Sequence, residues 1–247
     1  MSLKICSVYF EGKYTPEYVE KLYNGLKRHC SLPFEFICYS DNPNVKADVV
    51  IPLKHHSGIK KHWYKLCYFS PLFANQNPED EIIIMDIDQI IVNNIDDMIG
   101  YPVTDNELVS YNKWWGGKPR LNGGFLKFKS GQLKVIWDDF MKDPETWQLK
   151  YFKKGIVHYK YYGEQNFIDW MCEFHNIKLT LMPPEWVCKI TNDEEEDRQN
   201  NINYIKKFNK DYMILDKPHN DIKIVHFANP NADIHTSKYS WIKDYWI

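Results

Sequence analysis

The run Glu81-Ile82-Ile83-Ile84-Met85-Asp86-Ile87-Asp88 constrains this chain more than any other segment. Its isoleucines show no polar alternation, which suits a central strand covered on both faces, Glu81–Met85. Two aspartates end it, one residue apart, so a strand-like backbone sends both carboxylates to the same side. In open α/β sheets that carboxyl end is where ligands sit. Two anions held together need a cation between them, and hard oxygen ligands suit Mg²⁺ or Mn²⁺. Asp86 and Asp88 are therefore candidate metal ligands. An aspartyl-nucleophile phosphatase also begins this way, but it continues Gly-Thr where this chain has Gln89-Ile90.

The preceding residues supply the rest of the sheet. Leu3–Phe10, Phe34–Ser40 and Val49–Leu53 read as strands. Between the first two, Thr15-Pro16-Glu17 reads as a helix start with a capping hydroxyl, a first-turn proline and an acid. Trp63, Leu66, Cys67 and Ser70 mark a second helix that Pro71 ends or kinks. Strand, helix, strand, strand, helix, strand implies a doubly wound sheet. Further on, Leu108–Tyr111 and Gly124–Phe128 read as strands, and Gln132–Lys142 and Glu164–Asn176 as amphipathic helices. Lys178–Met182, Met213–Leu215 and Lys223–Phe227 read as short strands. Asn192–Asn201 is polar without apolar periodicity and reads as an exposed loop. With no repeat and no linker, the expectation is one α/β domain over residues 1–247.

Net charge is −2, which excludes a duplex nucleic-acid binder that needs a basic face. No apolar run reaches the ~18 residues of a membrane span, and the first ten residues lack a signal-peptide pattern. The six cysteines are scattered without any CxxC spacing, which suits buried thiols in a reducing compartment, with the cytoplasm as the expected location. Aromatic residues make up 16% of the chain and serve either as core or as a surface for flat ligands and sugar rings. In Trp114-Trp115-Gly116-Gly117, adjacent tryptophans point in different directions and make poor core, so they are expected to form an acceptor-sugar platform. Tyr159, Tyr161 and Tyr162 are expected to line the same cleft. His55, His56 and His62 cluster with Lys54, Lys60 and Lys61; without a cysteine or acid at zinc spacing they read as a basic surface loop. No nucleophilic triad, GxxxxGK loop or dinucleotide glycine fingerprint is present.

Five ordered motifs carry a resemblance. Trp63-Tyr64-Lys65-Leu66, Asp86-Ile87-Asp88, Leu121-Asn122-Gly123-Gly124-Phe125, Gly163-Glu164-Gln165-Asn166 and Ile224-Val225-His226-Phe227 follow one another over about Lys60 to Trp241. In this order the chain resembles the GT-A-fold glycosyltransferases, particularly glycosyltransferase family 8, the glycogenin and bacterial lipooligosaccharide galactosyltransferase type. The resemblance implies a mixed central sheet flanked by helices, with residues 1–100 as the nucleotide-binding half and 101–247 as the sugar and acceptor half, and Mn²⁺ or Mg²⁺ held by Asp86, Asp88 and His226. An imidazole in that set favours Mn²⁺. The metal would bridge the diphosphate of a nucleotide-sugar donor, most commonly UDP-linked, and offset charge on the departing group by several kcal/mol, or roughly a thousandfold in rate.

By the same resemblance, Asn122, Gly123, Gly124, Glu164 and Gln165 contact the donor sugar. The nucleotide lies over Val8, Tyr9, Phe10 and Asp41, with Ile87 beside the metal, and a glycan hydroxyl attacks, with retention at the anomeric carbon. Plain alternatives stand beside these roles: a turn for Gly123-Gly124, helix capping for Glu164, a structural histidine at 226. The chain departs from the family pattern in two places. Glu164 stands where aspartate is usual, and Asn229 and Ala232 replace the glycine and lysine of the late His-x-x-Gly-x-x-Lys-Pro-Trp motif. Lys238 and Lys65 are the candidates for the phosphate role. If the reaction inverted, Glu164 would be the base. The rival readings are a sugar-phosphate nucleotidyltransferase and an inactive carbohydrate- or nucleotide-binding domain of the same fold.

Overall fold

The structure is a computed structural model that describes residues 2–54, 58–116, 121–153, 163–209, 218, 220–227 and 233–247. Its first half alternates β1 (Leu3–Tyr9), α1 (Glu17–His29), β2 (Glu35–Ser40), β3 (Val49–Pro52), a 3₁₀ segment (Lys61–Phe69), β4 (Glu81–Met85), β5 (Gln89–Ile91) and α2 (Asp96–Ile99). The second half follows with β6 (Glu107–Asn112), a 3₁₀ turn (Trp114–Gly116), β7 (Leu121–Lys129), α3 (Lys134–Lys142), α4 (Pro144–Lys153) and α5 (Glu164–Phe174). It closes with β8 (Lys178–Leu181), a 3₁₀ turn (Pro184–Trp186), β9 (Val187–Ile190), α6 (Glu194–Phe208), β10 (Ile224–Phe227) and α7 (Ile242–Tyr245).

Seven strands form the main sheet in the order β3-β2-β1-β4-β7-β6-β8. The first four are mutually parallel, β7 runs antiparallel to both β4 and β6, and β8 is parallel to β6. The sheet is therefore mixed, as expected. The isoleucine run explains its centre. Ile83 and Met85 pack with α1 and Phe125 on one face, while Ile82 and Ile84 pack with Trp63, Phe140 and Phe167 on the other. A strand buried on both faces needs no polar alternation.

Three local expectations change. Thr15 does begin the helix turn, but through its carbonyl, which accepts from the Tyr18 N–H at 3.1 Å; no side chain caps α1. The segment around Trp63 is a nine-residue 3₁₀ helix. Asn192–Asn201 is not a loop: α6 starts at Glu194. The Asp193 side chain accepts from the Glu196 N–H at 2.9 Å, four acids fill the first turn, and Lys206 and Lys207 lie in the last. Capping and dipole complementarity fix this helix where apolar periodicity is absent. A second, three-stranded sheet of order β5-β10-β9 was not foreseen as a unit, because its strands are only three or four residues long.

All six cysteines are free, and burial pushes their thiols up, Cys38 to about 12. Among the described residues no helix is long and apolar enough to cross a membrane. Met213–Leu215, His55, His56, Gly117, Tyr159, Tyr161, Tyr162, Asn229 and Ala232 lie outside the described residues.

Candidate active site at the end of the central strand

The backbone leaves the strand at Asp86 and bends through Ile87 and Asp88 before β5 begins. Period-2 geometry thus stops at Met85, and the two carboxylates take different partners. Asp86 Oδ1 lies 2.7 Å from Lys65 Nζ, and Asp88 Oδ2 accepts from the Tyr14 hydroxyl. Tyr14 was not singled out from the sequence; only its ring contact with Tyr18 of α1 and the return of the loop after β1 bring it here. The Asp86 N–H donates to the Gly124 carbonyl at 3.1 Å, which ties the bend to β7.

Lys65 is the hub of the cluster. Its ammonium, almost wholly buried, also reaches Glu164 Oε1 and the Gly123 carbonyl, each at 3.2 Å. Burial alone would lower its pKa, but the charges of Asp86 and Glu164 overcome that and hold it above its ordinary value. Glu164 opens α5 and is buried; its Oε2 lies 2.9 Å from His62 Nε2. Burial would raise its carboxyl, but His62 and Lys65 hold it well below the usual carboxylate range. Asp86 moves the other way: burial comes first, and the neighbouring charges of Asp88 and Glu164 add to it against Lys65. Three carboxylates around one buried lysine leave a surplus of negative charge.

The glycines serve the protein's own packing. A Cβ on Gly123 would stand 3.1 Å from Glu164 Oε1 and 3.2 Å from Gln165 Cβ. One on Gly124 would stand 2.6 Å from Gln89 Nε2 and closer still to the Tyr111 hydroxyl. Asn122 is buried, and its Oδ1 accepts from the Gly124 N–H at 2.8 Å. The Gly123 N–H points at Gln165 Oε1, 3.4 Å away. Asn122, Gly123, Gly124, Glu164 and Gln165 are thus brought together with Lys65 and Asp86.

His226 enters from the second sheet. It pairs in register with Gln89, the residue after Asp88, so strand pairing places it beside the aspartates. Burial pushes its imidazole down to about 4, against the opposing charge of Asp88, and the ring is neutral at pH 7. Its buried Nδ1 has no hydrogen-bond partner among the described residues. A neutral imidazole with an orphaned nitrogen beside two carboxylates and surplus negative charge fits a divalent cation. Among the described residues, no three His, Cys, Asp or Glu side chains already converge to coordinating positions.

Other sequence candidates sit further out. Val8 is partly buried on β1, Tyr9 is core with its hydroxyl donating to the Tyr14 carbonyl at 3.1 Å, and Phe10 is partly exposed at the strand end. Both Asp41 oxygens accept from the Glu11 N–H at 3.1 Å, and Ile87 is core. Lys238 is not brought to the cluster: its Nζ lies 2.6 Å from Glu194 Oε2 at the start of α6. The tryptophan pair divides. Trp114 is core, its indole N–H donating to the Val187 carbonyl at 2.9 Å, because β9 and α6 cover it. Only Trp115 is partly exposed, its ring stacked on that of His226 at 6.0 Å. His62 belongs to the cluster and not to a basic surface loop. The missed signal was its spacing of three from Lys65.

By sequence, no protein-family model and no curated protein matches the chain. The fold does resemble solved structures. The galactosyltransferase LgtC, crystallised with donor and acceptor sugar analogues, superposes with a TM-score of 0.61 at 12% identity, covering 98% of this chain and 93% of that one. The fold is that of glycosyltransferases. GlyE of Streptococcus pneumoniae TIGR4 aligns with 92% of this chain at 13% identity and a TM-score of 0.55. The bifunctional glycosyltransferase WbbM aligns with 98% at 11% identity and a TM-score of 0.60. The chain spans about half the length of those two, with 54% and 48% of them covered, whereas it matches LgtC nearly end to end.

Proposed function

We propose that this glycosyltransferase fold carries a metal-dependent transferase that moves a sugar from a nucleotide-diphosphate donor, UDP-linked in the first instance, to a glycan hydroxyl. One observation carries the reading: Asp86, Asp88 and Glu164 crowd negative charge around a single buried lysine, beside the orphaned nitrogen of His226. Asp86, Asp88 and His226 are the residues that would hold Mn²⁺ or Mg²⁺, which when bound supplies positive charge to the donor's diphosphate. Trp115 beside His226 offers an apolar ring face at the cleft, suited to the acceptor.

The protein's own groups do the positioning. Lys65 fixes Asp86 and Glu164 against each other, and Gln165 and Asn122 orient the β7 backbone at Gly123 and Gly124. Glu164, held as a low-pKa carboxylate by His62 and Lys65, is a weak base. That counts against an inverting role for it and supports a retaining transfer.

Incubation with UDP-glucose, UDP-galactose and UDP-N-acetylglucosamine, with and without Mn²⁺, tests the reading. The expected result is slow Mn²⁺-dependent UDP release from one donor, abolished in Asp88→Asn. Absence of both turnover and thermal stabilisation with every nucleotide sugar would refute it; at a hundred times Kd a true ligand stabilises by about 2.7 kcal/mol.

A further inference from the structure

The 3₁₀ segment before the central strand sets residues three apart directly above one another. With three residues per turn, side chains at i and i+3 eclipse, whereas in an α-helix they are offset. His62 and Lys65 are therefore stacked on one face of Lys61–Phe69, and both reach the same carboxylate. Lys65 Nζ lies 3.2 Å from Glu164 Oε1, and His62 Nε2 lies 2.9 Å from Glu164 Oε2. The two oxygens of one buried side chain thus each face a nitrogen from a single helical face, Lys65 Nζ and His62 Nε2. Glu164 Oε1 is in turn packed where a Cβ on Gly123 would come within 3.1 Å of it, so the carboxylate has little room to turn.

We propose that His62 is a positioning residue: it clamps the far oxygen of Glu164, keeps the near oxygen on Lys65, and so preorganises the donor-sugar side of the cleft. The inference rests on the donor-sugar reading above. A glutamate has one more methylene than an aspartate and one more rotatable bond, so without a second anchor its carboxylate would sample positions that leave Lys65. His62 removes that freedom, and its influence on the Glu164 carboxyl ranks with that of Lys65. A charge-assisted contact at a desolvated site is worth about 1.5–3 kcal/mol, and 1.4 kcal/mol is a tenfold change.

The test compares His62→Ala and His62→Gln with wild type, in donor KM, kcat and affinity for bare UDP, with thermal melting as the folding control. His62→Ala is expected to weaken the UDP-sugar about tenfold and to lower kcat, while bare UDP binds within about twofold of wild type. Because glutamine keeps an N–H near the Nε2 position, His62→Gln recovers most of the loss. In a Glu164→Gln background, adding His62→Ala has little further effect, since the clamp acts through Glu164. Full additivity in that background, equal weakening of UDP and UDP-sugar, or no difference between the alanine and glutamine variants would each overturn the proposal. If the wild type binds no nucleotide sugar, the functional reading fails; if it turns over and His62→Ala matches it, only the clamp does.

Discussion

Replacing Lys65 by methionine keeps the stem and its packing but removes the one buried ammonium among Asp86, Asp88 and Glu164. Contacts at 2.7 and 3.2 Å to the two carboxylates and at 3.2 Å to the Gly123 carbonyl disappear together. Breaking a buried ion pair by deleting one partner costs roughly 3–5 kcal/mol, because the remaining charge stays desolvated. For a chain of 247 residues the unfolding entropy makes 1 kcal/mol worth about 2 °C, so the melting temperature at neutral pH should fall by about 6–10 °C.

The pH dependence fixes the cause. With Lys65 gone, the folded-state pKa of Asp86, already raised by burial, rises further, and that of Glu164 rises from its lowered value. A carboxyl raised in the folded state stabilises it when protonated and destabilises it when ionised. The deficit should therefore shrink as pH falls from 7 towards about 4, where these groups take up protons. Differential scanning fluorimetry of both proteins across that range, without added metal, measures it. A shift below about 2 °C at pH 7, or a deficit unchanged by acid, would refute the reasoning and remove the lysine from the centre of the cluster.

Gly124→Ala should destabilise by up to about 3 kcal/mol, since its Cβ would meet the buried Tyr111 hydroxyl and, at 2.6 Å, Gln89 Nε2; urea unfolding checks this, and a neutral result would mean the β7 backbone can shift. Glu107 is buried, yet hydrogen bonds from Lys178, Thr104 and Thr180 hold its carboxyl down to about 2, against an ordinary value of 4.5. Its stabilisation is thus complete above pH 4.5 and lost as pH falls towards 2. Glu107→Gln should accordingly cost about 2 kcal/mol at pH 7 and much less near pH 3, as read by urea midpoints at the two pH values. Trp115→Ala should raise the acceptor KM and leave metal-dependent donor hydrolysis nearly unchanged; equal loss of both would show that Trp115 serves chiefly to support His226.

The sequence alone determined the centre of this molecule. Three consecutive isoleucines can be satisfied only by burial on both faces, and that places the following aspartates at the carboxyl end of a central strand. The strands in residues 3–53 followed from the same period-2 and turn signals, because their pairing is local and parallel around β1. The helix 194–208 was hidden, since capping and charge hold it without an apolar stripe, and the small second sheet was hidden because its strands are too short to show a period. Within the site, the sequence named Asp86, Asp88, Asn122, Gly123, Glu164 and Gln165, but not how they are held. That Lys65 bridges Asp86 and Glu164, that Tyr14 takes Asp88, and that Gly124 makes room for Tyr111 are facts of packing between distant elements. His62 shows the difference most plainly: beside Lys60 and Lys61 it reads as a solvated basic loop, and only the tertiary contact of its segment with the start of α5 delivers it, together with Lys65, to a buried glutamate far away in sequence.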